Sequence, residues 1–298
     1  MNQSRTRNQI IPAIIFLLPG LVLFVLFFLG PLLYSFRISF YHWNFAHNER
    51  STWVGLQNYI DQLKNPIFQR AVLNTFSYTL ITVSVKLALG FIAAVLLNQK
   101  IAGRTFFRVS YYLPVITSWV IVSLLFTYLF SGQGGLVNYF LVDILHVVDH
   151  DVMWLADGIL ALVPVVLVDI WKGVGWTAVI FLAGLQSIPV EMNEAASVDG
   201  ANRWQQLWFI TIPMMRATFV FLLVVLLLGG LNAYVPFQLI THGGNPMDQA
   251  HSILTLMVRA TFSRLDFGSG AAISYTLTIF VFFLSVIQLK LLRKPEGE

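Results

Sequence analysis

Few residues of this chain could do chemistry in an apolar environment, and two of them stand together. Asp169 and Lys172 lie three residues apart in the order DIWKGVGW, with Trp171, Gly173, Gly175 and Trp176 around them, inside a long apolar run. Charge in such a run is expensive, so it is paired or used. At helical spacing the carboxylate and ammonium could simply satisfy each other. Alternatively, the glycines weaken the helix and free backbone groups to line a wet cavity. Indole faces there would suit the apolar face of a pyranose, and the two charged groups its hydroxyls. A second wall is available downstream. Gly229, Ala233 and Phe237 share one helical face, Gly230 and Tyr234 the adjoining one, and Asn232 is near them. Those residues also fit ordinary close packing of membrane helices through small side chains. Lys86, in another apolar run, reads as a structural residue that snorkels or forms a buried pair.

A different chemistry, docking, is written in residues 187–213, SIPVEMNEAASVDGANRWQQLWFITIP. Ser187 is a candidate cap and Pro189 suits the first turn of a helix. Asp199 then leads into Gly200, which suits the left-handed residue that ends that helix. Trp204, Leu207 and Trp208 follow at the spacing of a short amphipathic helix, and Pro213 marks the step into the next apolar run. Ala195 and Ala196 let a partner backbone come close, Glu194 offers a charge-assisted hydrogen bond, and Gly200 fixes the angle between the two helices. A surface-lying linker on lipid headgroups is the competing reading.

The elements that carry these residues follow from composition. Of 298 residues 57% are hydrophobic and 11% charged, against about 25% charged in a soluble domain, so the chain is an all-α integral membrane protein. Six runs are long enough to cross the hydrocarbon, near 10–36, 71–97, 110–130, 155–186, 217–240 and 271–292. The first is too long for a signal peptide and lacks a small-residue cleavage site; it reads as a retained span broken by Pro19, Gly20 and Pro31. Six spans put both termini on one side. Ten basic residues (Arg5, Arg7, Lys100, Arg104, Arg108, Arg203, Arg216, Lys290, Arg293 and Lys294) fall on that side and six on the other (Arg37, Arg50, Lys64, Arg70, Arg259 and Arg264). The bias assigns both termini and the 187–213 loop to the cytoplasm. The outer loop 131–157 has no basic residue and four aspartates.

The net charge of +4 sits at helix ends and is no sign of nucleic-acid binding. There is no cysteine, hence no disulfide or thiolate chemistry. His146 and His150, four residues apart beside Asp149 and Asp151, read as solvated side chains rather than a metal site. No Ser-His-Asp set, phosphate-cradling glycine loop or Walker motif is present, so any ATP hydrolysis belongs to another chain.

Glu194-Ala195-Ala196 followed by Gly200, Ile210 and Pro213 resembles the "EAA" motif of the membrane subunits of bacterial ABC importers. The likeness continues through VGLQNY with Asn74-Thr75-Phe76, FRVSYYLP (107–114), GGLVNYFL (134–141), DIWKGVGW (169–176), FQLITHGGNP (237–246) and DFGSGAA (266–272), covering residues 53–292. These landmarks resemble the sugar-type permeases, in particular the first of two related permeases in carbohydrate importers. The short first external loop is closer to the glycerol-3-phosphate and disaccharide permeases than to the maltose transporter's larger permease. The resemblance implies a type I importer fold of one permease domain over 1–298, with coupling helices at 187–213 docked in a cleft of the ATPase. It implies a second, similar permease, two cytoplasmic ATPase subunits carrying ATP and magnesium, and an external solute-binding protein, in a bacterial or archaeal inner membrane. It places substrate contacts around 169–176 and, at similar depth, in the fifth span. A non-sugar solute such as a polyol, glycosylated osmolyte or phosphate ester is the alternative cargo. An intramembrane enzyme would need more acids, histidines or metal ligands, and a passive channel would not need the docking motif.

Overall fold

A computed structural model of the chain describes residues 16–43, 51–99, 102–156 and 158–292. Arg5, Arg7, Arg50, Lys100, Arg293, Lys294 and Asp157 lie outside the described residues, as does the start of the first expected span. Among the described residues the chain is all-α apart from one two-residue ladder, and by internal contacts it forms two compact units.

The first unit comprises the chain up to Lys64 with Met257–Thr276. Its leading helix, α1 (Phe16–Ile38), runs unbroken, which corrects the expectation of a helix interrupted at Pro19, Gly20 and Pro31. A π-turn at Val25–Leu29 explains the continuity: the Gly30 amide bonds back to Val25, shifting the ladder just before a proline that has no N–H to give. The 18-residue stretch that marks α1 as a candidate span has none of its residues buried, so its apolar side chains face outward. After α1, β1 (Tyr41–His42) pairs antiparallel with β2 (Thr52–Trp53), and α2 (Gln57–Lys64) follows. Buried Asn58 donates to the carbonyls of Ser39 and Tyr41 at 2.8 and 2.9 Å. The Tyr41 carbonyl also sits where a Cβ on Gly268 would fall, so VGLQNY and DFGSGAA are two sides of one packing contact.

The second unit includes α3 (Pro66–Asn98), α4 (Arg104–Ile116), α5 (Trp119–Leu129), α6 (Leu162–Gln186), α7 (Val190–Val198), α8 (203–214), α9 (Arg216–Leu231) and α10 (Val235–Ile240), with a short helical stretch at 136–144 between α5 and α6. α11 (Ile253–Ser263) begins in it, and α12 (Phe267–Leu292) ends in it. Among the described residues five helices are long and apolar enough to cross a membrane, or six when the bent pair α4–α5 counts as one.

The span expected near 110–130 corresponds to that pair, which turns by 93°. Pro114 lies in the last turn of α4, and Thr117 and Ser118 are extended, so the helix stops and restarts at Trp119. The helix α6 is central. It packs along α3, where Gly90 meets Thr177, and against α4, where a Cβ on Gly175 would overlap the Tyr111 carbonyl. Phe181 fills the contact with no exposure, edge-on to Phe91 at 5.4 Å and tilted on Phe219 at 4.6 Å.

Between α5 and α6, the acidic stretch 131–156 winds around one side chain. Buried Asn138 donates to the carbonyls of Gly132 and Val152 at 3.2 and 3.1 Å, and its Oδ1 accepts from the Trp154 indole at 2.8 Å. Asn138→Ala leaves those groups unpaired and is expected to cost about 1–3 kcal/mol. Faster proteolysis within 131–156 and a lower unfolding temperature would register it; unchanged values would contradict it. His146 Nδ1 lies 2.7 Å from the Val142 carbonyl, and no group of three metal-ligating side chains occurs among the described residues.

Candidate functional site

Three charged side chains come together in the second unit, each from a helix interior and each nearly inaccessible: Lys86 on α3, with Asp169 and Lys172 on α6. Lys86 Nζ is 2.8 Å from Asp169 Oδ2. The pairing sets aside the alternative in which Asp169 and Lys172 satisfy each other across one turn, and gives Lys86 the buried pair expected of it. Lys172 turns the other way, donating to the carbonyls of Pro114, Val115 and Thr117 at 2.9, 2.9 and 2.6 Å. Those oxygens lie where α4 ends at its proline, at the negative end of the helix dipole. Lys172 therefore caps the bend, with its ammonium 5.2 Å from the centre of the Trp119 ring. The Tyr78 side chain completes the group, lining the same cavity as Asp169.

The glycines of DIWKGVGW do not break α6, which is continuous. They admit neighbours instead: the Lys86 stem passes where a Cβ on Gly173 would stand, and α4 passes at Gly175. Their role is close approach.

An open cavity of about 480 Å³ lies over this group. Of the residues expected to line a solute path, Asp169, Lys172, Gly173, Trp176, Gly229, Asn232, Ala233 and Tyr234 border it. Three do not. Trp171 points to a separate groove and stacks obliquely on Phe126 at 6.1 Å. Gly230 is the contact point for Thr79, and Phe237 is fully buried, edge-on to Tyr78 at 4.9 Å. Gly229, Ala233 and Phe237 do not share one continuous helix face, because the helix breaks over Asn232–Tyr234. Pro236 stands in the first turn of α10, having no amide for the Asn232 carbonyl four residues back. Asn232 closes α9 instead, its Nδ2 donating to the Leu228 carbonyl at 2.8 Å. Lys86, Tyr78 and Trp119 also line the cavity. The lone lysine in an apolar run and the proline before Trp119 were the available signals for two of them.

The second constellation is the loop 187–213. Here α7 carries Glu194 and Ala195 on its exposed side and Ala196 against the protein. Asp199 is its C-cap, and Gly200 adopts φ +81 with no atom near a would-be Cβ. The Ala201 amide returns to the Ala196 carbonyl at 2.9 Å. Ser187 is not the cap of α7: its hydroxyl donates to Gly184 at the end of α6, and Pro189 occupies the N-cap. Asn202 and Gln205 form a capping box that starts α8, a signal legible as N-x-x-Q and passed over in favour of the tryptophans. Gln206 then donates to Ser197 Oγ and the Ala201 carbonyl, both at 3.0 Å, tying α8 to α7. Ile210 lies in the π-turn of α8 and Pro213 in its last turn. Trp204, Trp208 and Phe209 remain exposed. Because the space at Gly200 is open, Gly200→Val should act through backbone strain alone, about 1–2 kcal/mol. Gly200→Asn should be milder, and circular-dichroism melts of the two variants measure the difference.

Residues 86–294 match the family described as the binding-protein-dependent transport system inner membrane component. The chain belongs to this family. It is 30% identical over 297 residues to a probable ABC transporter permease of Bacillus subtilis, YurN, spanning 98% of this chain and 99% of that protein. It is 32% identical over 282 residues to the multiple sugar-binding transport system permease MsmF of Streptococcus mutans, spanning 94% and 95%. In fold the permease resembles, with a TM-score of 0.76 at 21% identity and 99% of both chains covered, a bacterial ABC transporter involved in the import of the acidic polysaccharide alginate. The permease is thus a multi-pass membrane protein with an ABC-importer fold, and the charged cavity and the 187–213 loop belong to that scaffold.

Proposed function

We propose that this permease forms half of the path by which a carbohydrate enters the cell, and that residues 187–213 couple the path to ATP hydrolysis on partner subunits. The observation that carries the reading is the cavity itself. Aromatic rings of Trp119, Trp176 and Tyr234 stand beside Asn232 and a small charged group in the interior of apolar helices, a combination suited to a pyranose. Names of relatives support it, since MsmF and the arabinooligosaccharide and lactose permeases are named for sugars; nothing among them favours a polyol, osmolyte or phosphate ester.

In this reading the 298 residues act as one permease domain with both termini in the cytoplasm, paired with a second, related permease. Two ATPase subunits, which hold ATP and magnesium, receive Glu194 and the alanines beside it. An external solute-binding protein delivers the sugar. Closure of the ATPases moves α7 and α8 as a lever, because Gln206 and the Gly200 turn tie them together. The path then has two states, biased by ATP at one end and by the loaded binding protein at the other. The permease has no ATPase site of its own. ATPase activity of the reconstituted complex, measured with the binding protein and a panel of saccharides, tests the proposal. Stimulation by a saccharide is the expected result; stimulation only by non-carbohydrate solutes would overturn it.

A further inference from the structure

We infer that the cavity accepts electrically neutral saccharides and rejects acidic or phosphorylated ones. The inference rests on the carbohydrate reading and adds the charge class of the cargo. A carboxylate or phosphate in a low-dielectric site is held most strongly by a cation with hydrogens to spare. The only basic residues lining the cavity, among the described residues, are Lys86 and Lys172. An ammonium has three N–H donors, and Lys172 directs its own to three carbonyls at 2.6–2.9 Å. Its charge is opposed by the end of the α4 dipole and covered on one side by the Trp119 ring. Lys86 is held at 2.8 Å by Asp169, and its stem is confined where it crosses Gly173.

An entering anion would thus lose its hydration without gaining a free cation, and it would share the wall with the Asp169 carboxylate. To bind, it would have to take Lys86 from Asp169 and leave that carboxylate buried and unpaired. Leaving a buried charge unpaired is strongly unfavourable, so discrimination on the order of 100-fold or more is expected. A neutral saccharide avoids it. Its hydroxyls can use Tyr234 and Asn232 Oδ1, and its apolar face can use the indoles.

Calorimetric titration of the purified complex of permeases and ATPases, without the binding protein, isolates the cavity from upstream selection. The probes are neutral oligosaccharides (maltotriose, cellotriose, raffinose), trigalacturonate and glucose 6-phosphate. Saturable binding of at least one neutral probe, with both acidic probes about 100-fold weaker or silent, is expected. Asp169→Asn, checked for an intact melting transition, should relax the rejection by releasing Lys86. Trigalacturonate or glucose 6-phosphate binding as tightly as the best neutral probe would overturn the charge rule and leave the carbohydrate reading standing. Heat from no probe of either kind would remove the carbohydrate reading, and this inference with it.

Discussion

Replacing Lys86 by methionine is expected to lower the stability of the permease by about 3–5 kcal/mol, because it leaves the Asp169 carboxylate buried without its counter-ion. The shape change is small, since methionine follows most of the lysine stem past Gly173. The loss therefore reports charge, not packing. The double variant Lys86→Met/Asp169→Leu should recover most of it, as a buried pair replaced by apolar side chains of similar volume is often neutral. Melting of the detergent-purified permease distinguishes the outcomes. A single variant as stable as the parent would mean that the Lys86–Asp169 contact, at 2.8 Å, is not what neutralises the carboxylate.

Glu194→Ala should leave that melting transition in place and instead weaken the hold of the ATPase. Glu194 is exposed on α7 and its side chain makes no hydrogen bond or ion pair within the described residues, so its truncation removes no such contact from the fold. One charge-assisted hydrogen bond is worth about 1.5–3 kcal/mol, which is roughly a ten- to hundred-fold fall in affinity for the ATPase subunit. Glu194→Lys should be worse, by placing a repelling charge where an acceptor is needed. Surface-plasmon measurements of ATPase binding to immobilised permease would show the fall. Unchanged affinity in both variants would move the coupling contact elsewhere on α7 or α8.

What the sequence discloses about this molecule depends on how local each cause is. Gly200 and the helix pair around it are legible because a left-handed turn and two short amphipathic segments are properties of neighbouring residues. Membrane spans are legible for the same reason, with one exception. The α4–α5 bend depends on Pro114, but it is satisfied by Lys172, 58 residues away, and no window of sequence contains both. The same distance hides the partner of Asp169. Lys172 is the nearer cation along the chain, whereas Lys86 is the nearer one across the α3–α6 contact. The glycines of DIWKGVGW mislead in an instructive way: without a neighbour in view a glycine reads as a weak point of a helix, and with Lys86 and Tyr111 in view it is a point of approach. Helical spacing groups Phe237 with the cavity, and adjacency to Lys172 groups Trp171 with it; Phe237 is instead buried beyond the break at Asn232–Tyr234, and Trp171 lines a separate groove.

The central claim is that this chain forms a solute path worked by ATP through residues 187–213. Uptake of a radiolabelled saccharide into proteoliposomes tests it most directly, with the full complex, the loaded binding protein outside, and ATP inside or withheld. Accumulation that requires both ATP and the binding protein, and that collapses in the Glu194→Lys variant, is the predicted result. Flux that proceeds equally without ATP, down the gradient and indifferent to Glu194, would contradict it and describe a channel instead.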